Sequence, residues 1–135
     1  MIYQTMLDIF NSKRNSNHFF NYKGTVIKEK SINNFLKKFN PEFTSKLFRT
    51  YYANIYFINE LNNLSVLDKN KPKKDIVQAL KIAAEAINNT PAISKKNYIH
   101  NGIIDLYLNN QNKYKKIFLS NKNDIRNNFI KFLEM

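Results

Sequence analysis

Cysteine is absent from this chain, and only two histidines, His18 and His100, occur among its 135 residues. Without cysteine there is no disulfide framework and no thiolate metal site, and two isolated histidines disfavour a metal centre. No apolar run reaches the roughly 18 residues that a membrane span needs, and the N-terminus lacks the ordered features of a signal peptide. We therefore expect a soluble, intracellular protein without a metal.

Acidic residues are scarce, since 10 Asp and Glu stand against 22 Lys and Arg. The formal charge of +12 and the isoelectric point near 9.8 favour a polyanionic partner, either nucleic acid or an anionic membrane. The basic residues are scattered rather than confined to one face of an amphipathic helix, which disfavours the membrane. Hydrophobic residues make up 43% of the sequence, enough for one modest globular core.

Arginine is scarce as well, because only Arg14, Arg49 and Arg126 occur among the 22 basic residues. Asn, Lys, Ile, Phe and Tyr are abundant, which indicates an AT-rich genome whose codon bias replaces arginine with lysine without reference to function. Each remaining arginine is therefore a stronger candidate for a specific role than any single lysine.

Apolar residues recur at helical spacing along most of the chain, and no sustained period-two alternation or internal repeat occurs. The pattern predicts a mainly α fold, with a turn at Lys23-Gly24 and a short extended piece at residues 25–27. The predicted helices cover residues 1–10, 31–39, 44–61, 74–87, 90–98, 103–108, 113–119 and 124–133, and residues 65–74 form a basic loop.

Polar residues and prolines mark the predicted helix ends. Ser31, Thr44 and Thr90 are predicted N-caps, Pro91 occupies a first helical position, and Asn88-Asn89 ends the preceding helix. The helix that begins after Thr44 is expected to bury a broad stripe consisting of Leu47, Phe48, Tyr51, Tyr52, Ile55, Ile58 and Leu61.

Three residues together suit the cleavage of a phosphodiester. Tyr98 stands in a lysine-rich helical segment nine residues after Asn89, and Arg49 lies upstream. Tyrosine can act as a covalent nucleophile, and a guanidinium can donate two parallel hydrogen bonds to a phosphate. Lys95 and Lys96, within a turn of the tyrosine, add a positive field that favours the phenolate. Read singly, however, the three residues indicate only a surface arginine, a core-edge tyrosine and a helix stop.

Two stretches of the chain resemble the C-terminal catalytic region of type IB DNA topoisomerases, namely FTSKLFRTYYANIYFINEL and ALKIAAEAINNTPAISKKNYIHNGIIDLY. The family pattern T-x-K-x-[FL]-R-T-[YW] is matched around Arg49. The pattern G-[HN]-T-P-x-x-x-[KR]-x-x-Y is matched from Asn89 to Tyr98, with Asn88 in place of the glycine. The resemblance covers roughly residues 19–108, and the two motifs occur in the family's order.

The resemblance implies a role for each site residue. It makes Tyr98 the nucleophile of a 3′-phosphotyrosyl bond, Arg49 a phosphate clamp, and Asn89 a phosphate contact in place of the histidine of viral and nuclear members. It also implies the helical catalytic subdomain shared with tyrosine recombinases, double-stranded DNA as partner, and neither ATP nor another cofactor. The nine-residue gap leaves no room for a long linker, as in the short poxviral or bacterial form. Lys46, Lys95 and Lys96 are the expected DNA-phosphate contacts.

Two family residues have no counterpart in this reading. The family also uses an upstream arginine and a general-acid lysine on a β-hairpin, and Lys13, Arg14 and Lys23 lie at the wrong place to be assigned to them. We expect an incomplete isomerase: residues 1–135 form one α-helical domain, the C-terminal portion of the catalytic domain, with residues 109–135 as its last helices. A fragment, a split subunit that needs an N-terminal topoisomerase fragment, and a degenerate gene product remain open, as does the compartment (nucleus, nucleoid, viral factory or virion).

Two other functions compete with relaxation of supercoiled DNA. A tyrosine recombinase or integrase shares the fold, but it carries histidine three residues before the second arginine, where this chain has Lys46. A non-catalytic, basic DNA-binding remnant would explain the absent arginine and lysine.

Overall fold

The computed structural model describes residues 20–22, 25–66, 71–121 and 124–135, together with Gln4, Asp8 and Asn11. Over these residues a two-stranded ribbon precedes seven helices, so the prediction of a mainly α fold is confirmed. The elements are β1 (Asn21–Tyr22), β2 (Thr25–Val26), α1 (Glu29–Leu36), α2 (Ser45–Val66), α3 (Pro72–Ala86), α4 (Pro91–Asn97), α5 (Asn101–Asn109), α6 (Gln111–Phe118) and α7 (Ile125–Leu133). Nearly all of the predicted helix at residues 1–10 and the turn at Lys23-Gly24 lie outside the described residues.

The chain divides into two compact units, Met1–Leu47 and Phe48–Met135. In the first unit β1 and β2 pair antiparallel, with Asn21 opposite Val26. The prediction that Ser31 caps the next helix is wrong, because α1 begins two residues earlier with Lys28 at the N-cap and no side-chain cap. Glu29 in the first turn places a negative charge at the positive end of the helix dipole, which favours the earlier start.

Two side chains define the beginning of α2. The hydroxyl of Thr44 accepts a hydrogen bond from the backbone N–H of Leu47 at 3.1 Å, which confirms the predicted cap. The side-chain oxygen of Asn33 on α1 accepts a hydrogen bond from the backbone N–H of Ser45 at 2.8 Å. Two N–H groups of the first turn that have no partner within the helix therefore have acceptors. The helix α2 runs on to Val66, five residues beyond the predicted end.

The hydrophobic core belongs to the second unit, where α2, α3, α5, α6 and α7 each contribute buried side chains. From α2 the buried face consists of Ala53, Phe57, Ile58 and Leu61. The predicted stripe on this helix was wrong in part, because Leu47, Phe48 and Tyr52 are 45%, 40% and 45% exposed. The helix instead turns its small residue Ala53 into the core, where it is fully buried.

A buried polar network lies among the helices of the core. The hydroxyl of Tyr114 donates to the side-chain oxygen of Asn62 at 2.9 Å, and the amide of Asn62 donates to the Phe118 carbonyl at 3.1 Å. The ring of Tyr114 also meets that of Tyr107 edge to face, with centroids 4.8 Å apart. The Tyr107 hydroxyl donates to Asp75 at 2.9 Å. Burial, followed by the effect of Asp75, raises the pKa of Tyr107 to about 12, and burial also raises the pKa of Tyr114. Both phenols are therefore neutral hydrogen-bond donors near pH 7.

The later helices follow the predicted order with shifted ends. Pro72 begins α3, so Lys73 and Lys74 lie in a first helical turn and the prediction of a loop there is wrong. Asn110 caps α6 and Asp124 caps α7, each by accepting a backbone hydrogen bond. Among the described residues, no helix is both long enough and apolar enough to cross a lipid bilayer.

Replacing Tyr114 by phenylalanine is expected to lower the free energy of unfolding by about 1 to 2 kcal/mol, because the buried oxygen of Asn62 loses its donor. The matched control is Tyr52→Phe, which removes a hydroxyl from a 45% exposed side chain and is expected to change stability by less than about 0.5 kcal/mol. Urea unfolding followed by circular dichroism measures both. Equal stability of the two variants would contradict a structural role for this hydrogen bond.

Candidate active site

Tyr98 terminates the short helix α4. Thr90 caps this helix by accepting the N–H of Ile93 at 3.3 Å, and Pro91 occupies the first position, as predicted. The N–H of Tyr98 donates to the Ser94 carbonyl at 2.9 Å. The side chain of Tyr98 is half-buried and packs against the core. The nucleophile proposed from the sequence is thus held at both its backbone and its ring.

The two asparagines before α4 form a left-handed helix end. Asn88 has a backbone φ of 58°, which residues other than glycine rarely adopt. Its N–H donates to the Glu85 carbonyl at 3.0 Å, and the N–H of Asn89 donates to the Ala84 carbonyl at 2.8 Å. This is the Schellman arrangement that ends a helix on glycine or asparagine. The geometry therefore explains why asparagine stands at the glycine position of the family pattern.

The side chain of Asn89 has one committed and one free end. Its oxygen accepts the N–H of Thr90 at 2.9 Å, whereas its Nδ2 donates to no other described residue. Asn89 lines an open hollow of about 520 Å³ at the end of α3, together with Lys81 and Glu85. An amide donor and an ammonium group thus border the same space as the carboxylate of Glu85, and the first two are groups that can donate to a phosphate.

Arg49 lies in the second turn of α2, and its side chain is exposed. Its guanidinium makes no hydrogen bond or ion pair with any described residue, so all of its donors are free for a ligand. Nor does a hydrogen bond directly join the side chains of Arg49, Asn89 and Tyr98 over the described ranges. The helix of Arg49 is instead linked to the backbone of the Tyr98 segment.

Asn54 makes that association. It is 1% exposed and lies on α2, about one turn beyond Arg49. Its Nδ2 donates to the Thr50 carbonyl at 2.8 Å and to the Tyr98 carbonyl at 2.7 Å, while its oxygen accepts the N–H of His100 at 2.8 Å. A single buried amide thus places the backbone next to Arg49 and the backbone of Tyr98 within hydrogen-bond distance of one nitrogen atom.

His100 supports the same segment from its other side. Its Nδ1 accepts the N–H of Gly102 at 3.1 Å and so caps α5. Its ring meets that of Phe132 on α7 edge to face, with centroids 5.5 Å apart. A Cβ at Gly102 would lie 3.0 Å from the imidazole and 3.4 Å from Phe132, so the close contact depends on glycine.

The sequence reading missed Asn54 and Lys81. A polar residue within the apolar run around Ala53 was the signal for Asn54, because a buried amide needs specific partners. Nothing in the pattern distinguishes Lys81 from the other lysines. The expected DNA contacts Lys95 and Lys96 are exposed in the last turn of α4.

Other residues considered from the sequence have separate positions. Lys46 is exposed in the first turn of α2. Lys13, Arg14 and Lys23 lie outside the described residues. Ser94, which is fully buried on α4, has an Oγ without a hydrogen-bond partner in the described part of the chain.

Comparison with known proteins gives two matches. A family model for the catalytic core of eukaryotic DNA topoisomerase I matches residues 1–125. The chain is 37% identical over 111 residues to the DNA topoisomerase 1B of Acanthamoeba polyphaga mimivirus. This stretch is 77% of the chain but 31% of the viral protein, so the chain spans about a third of that relative. No solved structure matches the present chain significantly.

Replacing Asn88 by alanine is expected to lower the free energy of unfolding by about 1 to 2 kcal/mol, since alanine pays the full steric cost of the left-handed conformation. Asn88→Gly should be within about 0.5 kcal/mol of the natural chain, because glycine adopts this conformation freely. The control is Asn59→Ala, which replaces an exposed asparagine inside α2 and should be neutral or slightly stabilising. Urea unfolding distinguishes the three, and equal losses for alanine at both positions would refute the role assigned to Asn88.

Asn54→Ala is expected to cost about 2 to 4 kcal/mol, because the Tyr98 carbonyl and the His100 N–H lose their partner in a buried place. Asn59→Ala on the same helix again serves as the matched control. Hydrogen exchange at the His100 amide supplies a local readout, since the loss of its acceptor should speed exchange there. Unchanged protection at His100 would count against the bridge.

Proposed function

The chain belongs to the type IB DNA topoisomerase family, and we propose that it supplies the C-terminal part of an active site that cleaves and rejoins one strand of duplex DNA. The observation that carries the proposal is the Asn54 bridge, which brings the helix of Arg49 beside the Tyr98 segment. The helix that carries Arg49 and the segment that carries Tyr98 are thus joined by a hydrogen bond although they are far apart in sequence. A cleavage site requires that its nucleophile and its phosphate clamp be neighbours.

Tyr98 is the proposed nucleophile. Its phenol gives up its proton to solvent, and the phenolic oxygen forms a bond to phosphorus while the bond from phosphorus to the 5′ oxygen breaks. The departing 5′ oxygen takes up a proton, and the DNA remains attached through a 3′-phosphotyrosine. Attack of the same 5′ hydroxyl on the phosphotyrosine reverses these steps, rejoins the DNA strand and releases the tyrosine. Because the phosphodiester energy is kept in the covalent intermediate, the cycle needs no nucleotide hydrolysis.

Arg49 and Asn89 are the proposed donors to the non-bridging phosphate oxygens, where negative charge grows in the transition state. The free guanidinium of Arg49 suits a bidentate contact, and the free Nδ2 of Asn89 suits a single one. Such donors are typically worth about 10² to 10³ in rate each. Asn89 cannot carry charge, so its contribution is confined to hydrogen bonding.

Three lysines are the proposed contacts to the DNA backbone outside the reacting phosphate. Lys95 and Lys96 lie within a turn of Tyr98, and Lys46 lies on the arginine helix. All three are exposed, so their attraction for phosphate is screened by salt and carries no sequence preference.

The second clamp arginine and the general-acid lysine have no assigned position in this chain. We propose that a segment corresponding to the remaining part of the viral relative provides them, in the same or in a separate polypeptide. The relative is about three times as long as the matched stretch, which gives room for such a segment. Without a general acid the departing 5′ oxygen is a poor leaving group, so the 135-residue chain alone should not relax supercoils.

A DNA duplex with a break just beyond the cleavage site tests the proposal, because the short 5′ product diffuses away and traps the covalent complex. The natural chain, mixed with the upstream part of the mimivirus enzyme, is expected to form a protein–DNA adduct visible on a denaturing gel. Tyr98→Phe should abolish the adduct, and Arg49→Ala should slow its formation by about 10² to 10³.

Tyr56→Phe is the control, since it changes a tyrosine that is 44% exposed on α2. It should form the adduct at the natural rate. An adduct with Tyr98→Phe would disprove the nucleophile. Failure of the complemented natural chain, together with intact DNA binding, would favour a non-catalytic DNA-binding remnant. Exchange of strands between two duplexes would favour a recombinase.

A further inference from the structure

The two last helices enclose a second hollow, of about 510 Å³, between α6 and α7. Lys113, Lys116 and Ser120 lie on one face of α6 and its C-terminal turn, at the three- and four-residue spacing of a helix surface. Asn128 and Lys131 have the same spacing on α7. Three ammonium groups from two helices therefore border one space.

The charged side chains that line this hollow, beside Ile117 and Met135, are all lysines. No aspartate or glutamate lines it, and no carboxylate of a described residue pairs with any of the three lysines. Like charges at adjacent helical positions disfavour the fold slightly. An anionic ligand would convert this repulsion into attraction.

The other lining groups suit a sugar-phosphate chain. Ser120 offers a hydroxyl, and Ile117 offers apolar surface for a sugar. Asn128 is 7% exposed and donates to the Asn121 carbonyl at 2.9 Å, so this side chain is held in place by a hydrogen bond. The volume exceeds that of one phosphate and admits a short stretch of backbone.

The position of α7 relates this hollow to the candidate active site. Asn128 and Lys131 on α7 line the hollow, whereas Phe129 belongs to the core and the ring of Phe132 meets that of His100. His100 is bonded through Asn54 to the Tyr98 segment. The hollow is therefore held at a set distance from the nucleophile by packed side chains.

We propose that the α6–α7 hollow binds the phosphodiester backbone of DNA at a place separate from the reacting phosphate. The inference depends on the proposed function only in taking DNA as the ligand. Lysine is a point-charge phosphate contact, so this site adds affinity and salt dependence without reading sequence.

Binding is measured with the Tyr98→Phe chain, in which no cleavage step exists, by the fluorescence anisotropy of a labelled duplex at several salt concentrations. The variant Lys113→Gln/Lys116→Gln/Lys131→Gln is expected to bind about tenfold or more weakly at low salt. Its salt slope should fall by about 2 to 3, near one unit for each lost phosphate contact.

The control Lys37→Gln/Lys38→Gln/Lys115→Gln removes the same charge from exposed lysines that do not line the hollow. The fall in its salt slope should be less than half of that seen for the hollow variant. Replacement of all three hollow lysines by arginine should retain binding. Circular dichroism verifies folding of each variant. Equal losses in the two glutamine variants would overturn the proposal, because net charge alone would then explain binding.

Pyrophosphate at constant ionic strength separates DNA from a free anion as the ligand. One outcome is that low millimolar pyrophosphate displaces the duplex from the chain with its three hollow lysines but not from the chain in which these are glutamine. In that case the hollow is a small-anion site and the DNA assignment is wrong. If neither form is affected, the DNA assignment stands. Loss of the covalent adduct with normal binding would refute the proposed chemistry and leave this site intact.

Discussion

The buried amide of Asn54 is the interaction on which the arrangement of the second unit depends. It is buried, where an unsatisfied amide would be costly, and its donors and acceptor are satisfied by backbone groups of its own helix and of the segment that holds Tyr98 and His100. The N–H of His100 needs this acceptor because it stands before the first turn of α5. The imidazole of His100 then caps α5 and supports Phe132. One hydrogen-bonded residue thus determines where a tyrosine segment, a helix start and the last helix meet.

Local chemistry made much of the fold predictable. Thr44, Thr90 and Pro91 have their capping roles at helix ends within three or four residues in the sequence, so these roles could be predicted from the sequence. Asn88-Asn89 was legible as a helix stop for the same reason, although the positive φ that favours asparagine over other side chains became evident only in the structure. These are the interactions whose partners lie close in sequence.

Tertiary packing determined the rest. The apolar residues of α2 are too numerous for periodicity to select one face, so Tyr52 was predicted to be buried but is exposed. The motifs identified Tyr98, Asn89 and Arg49, but spacing could not place them, because Asn54 and Tyr98 are separated by 44 residues. Lys81 and Asn89 line the same hollow at the end of α3, and no local sequence pattern predicts that they do so. The motifs therefore allowed the members of the candidate site to be proposed, but not their surroundings.

Asparagine serves two opposed purposes in this chain, and burial separates them. Asn54, Asn62 and Asn128 are buried, and each donates its amide to a backbone carbonyl. Asn89 is only half-buried, and its Nδ2 remains free beside a hollow. A free donor can persist there because water satisfies it until a ligand arrives, whereas the same freedom in the core would destabilise the fold. A composition rich in asparagine thus supplies structural bridges and a proposed ligand donor from one residue type, and burial distinguishes the two.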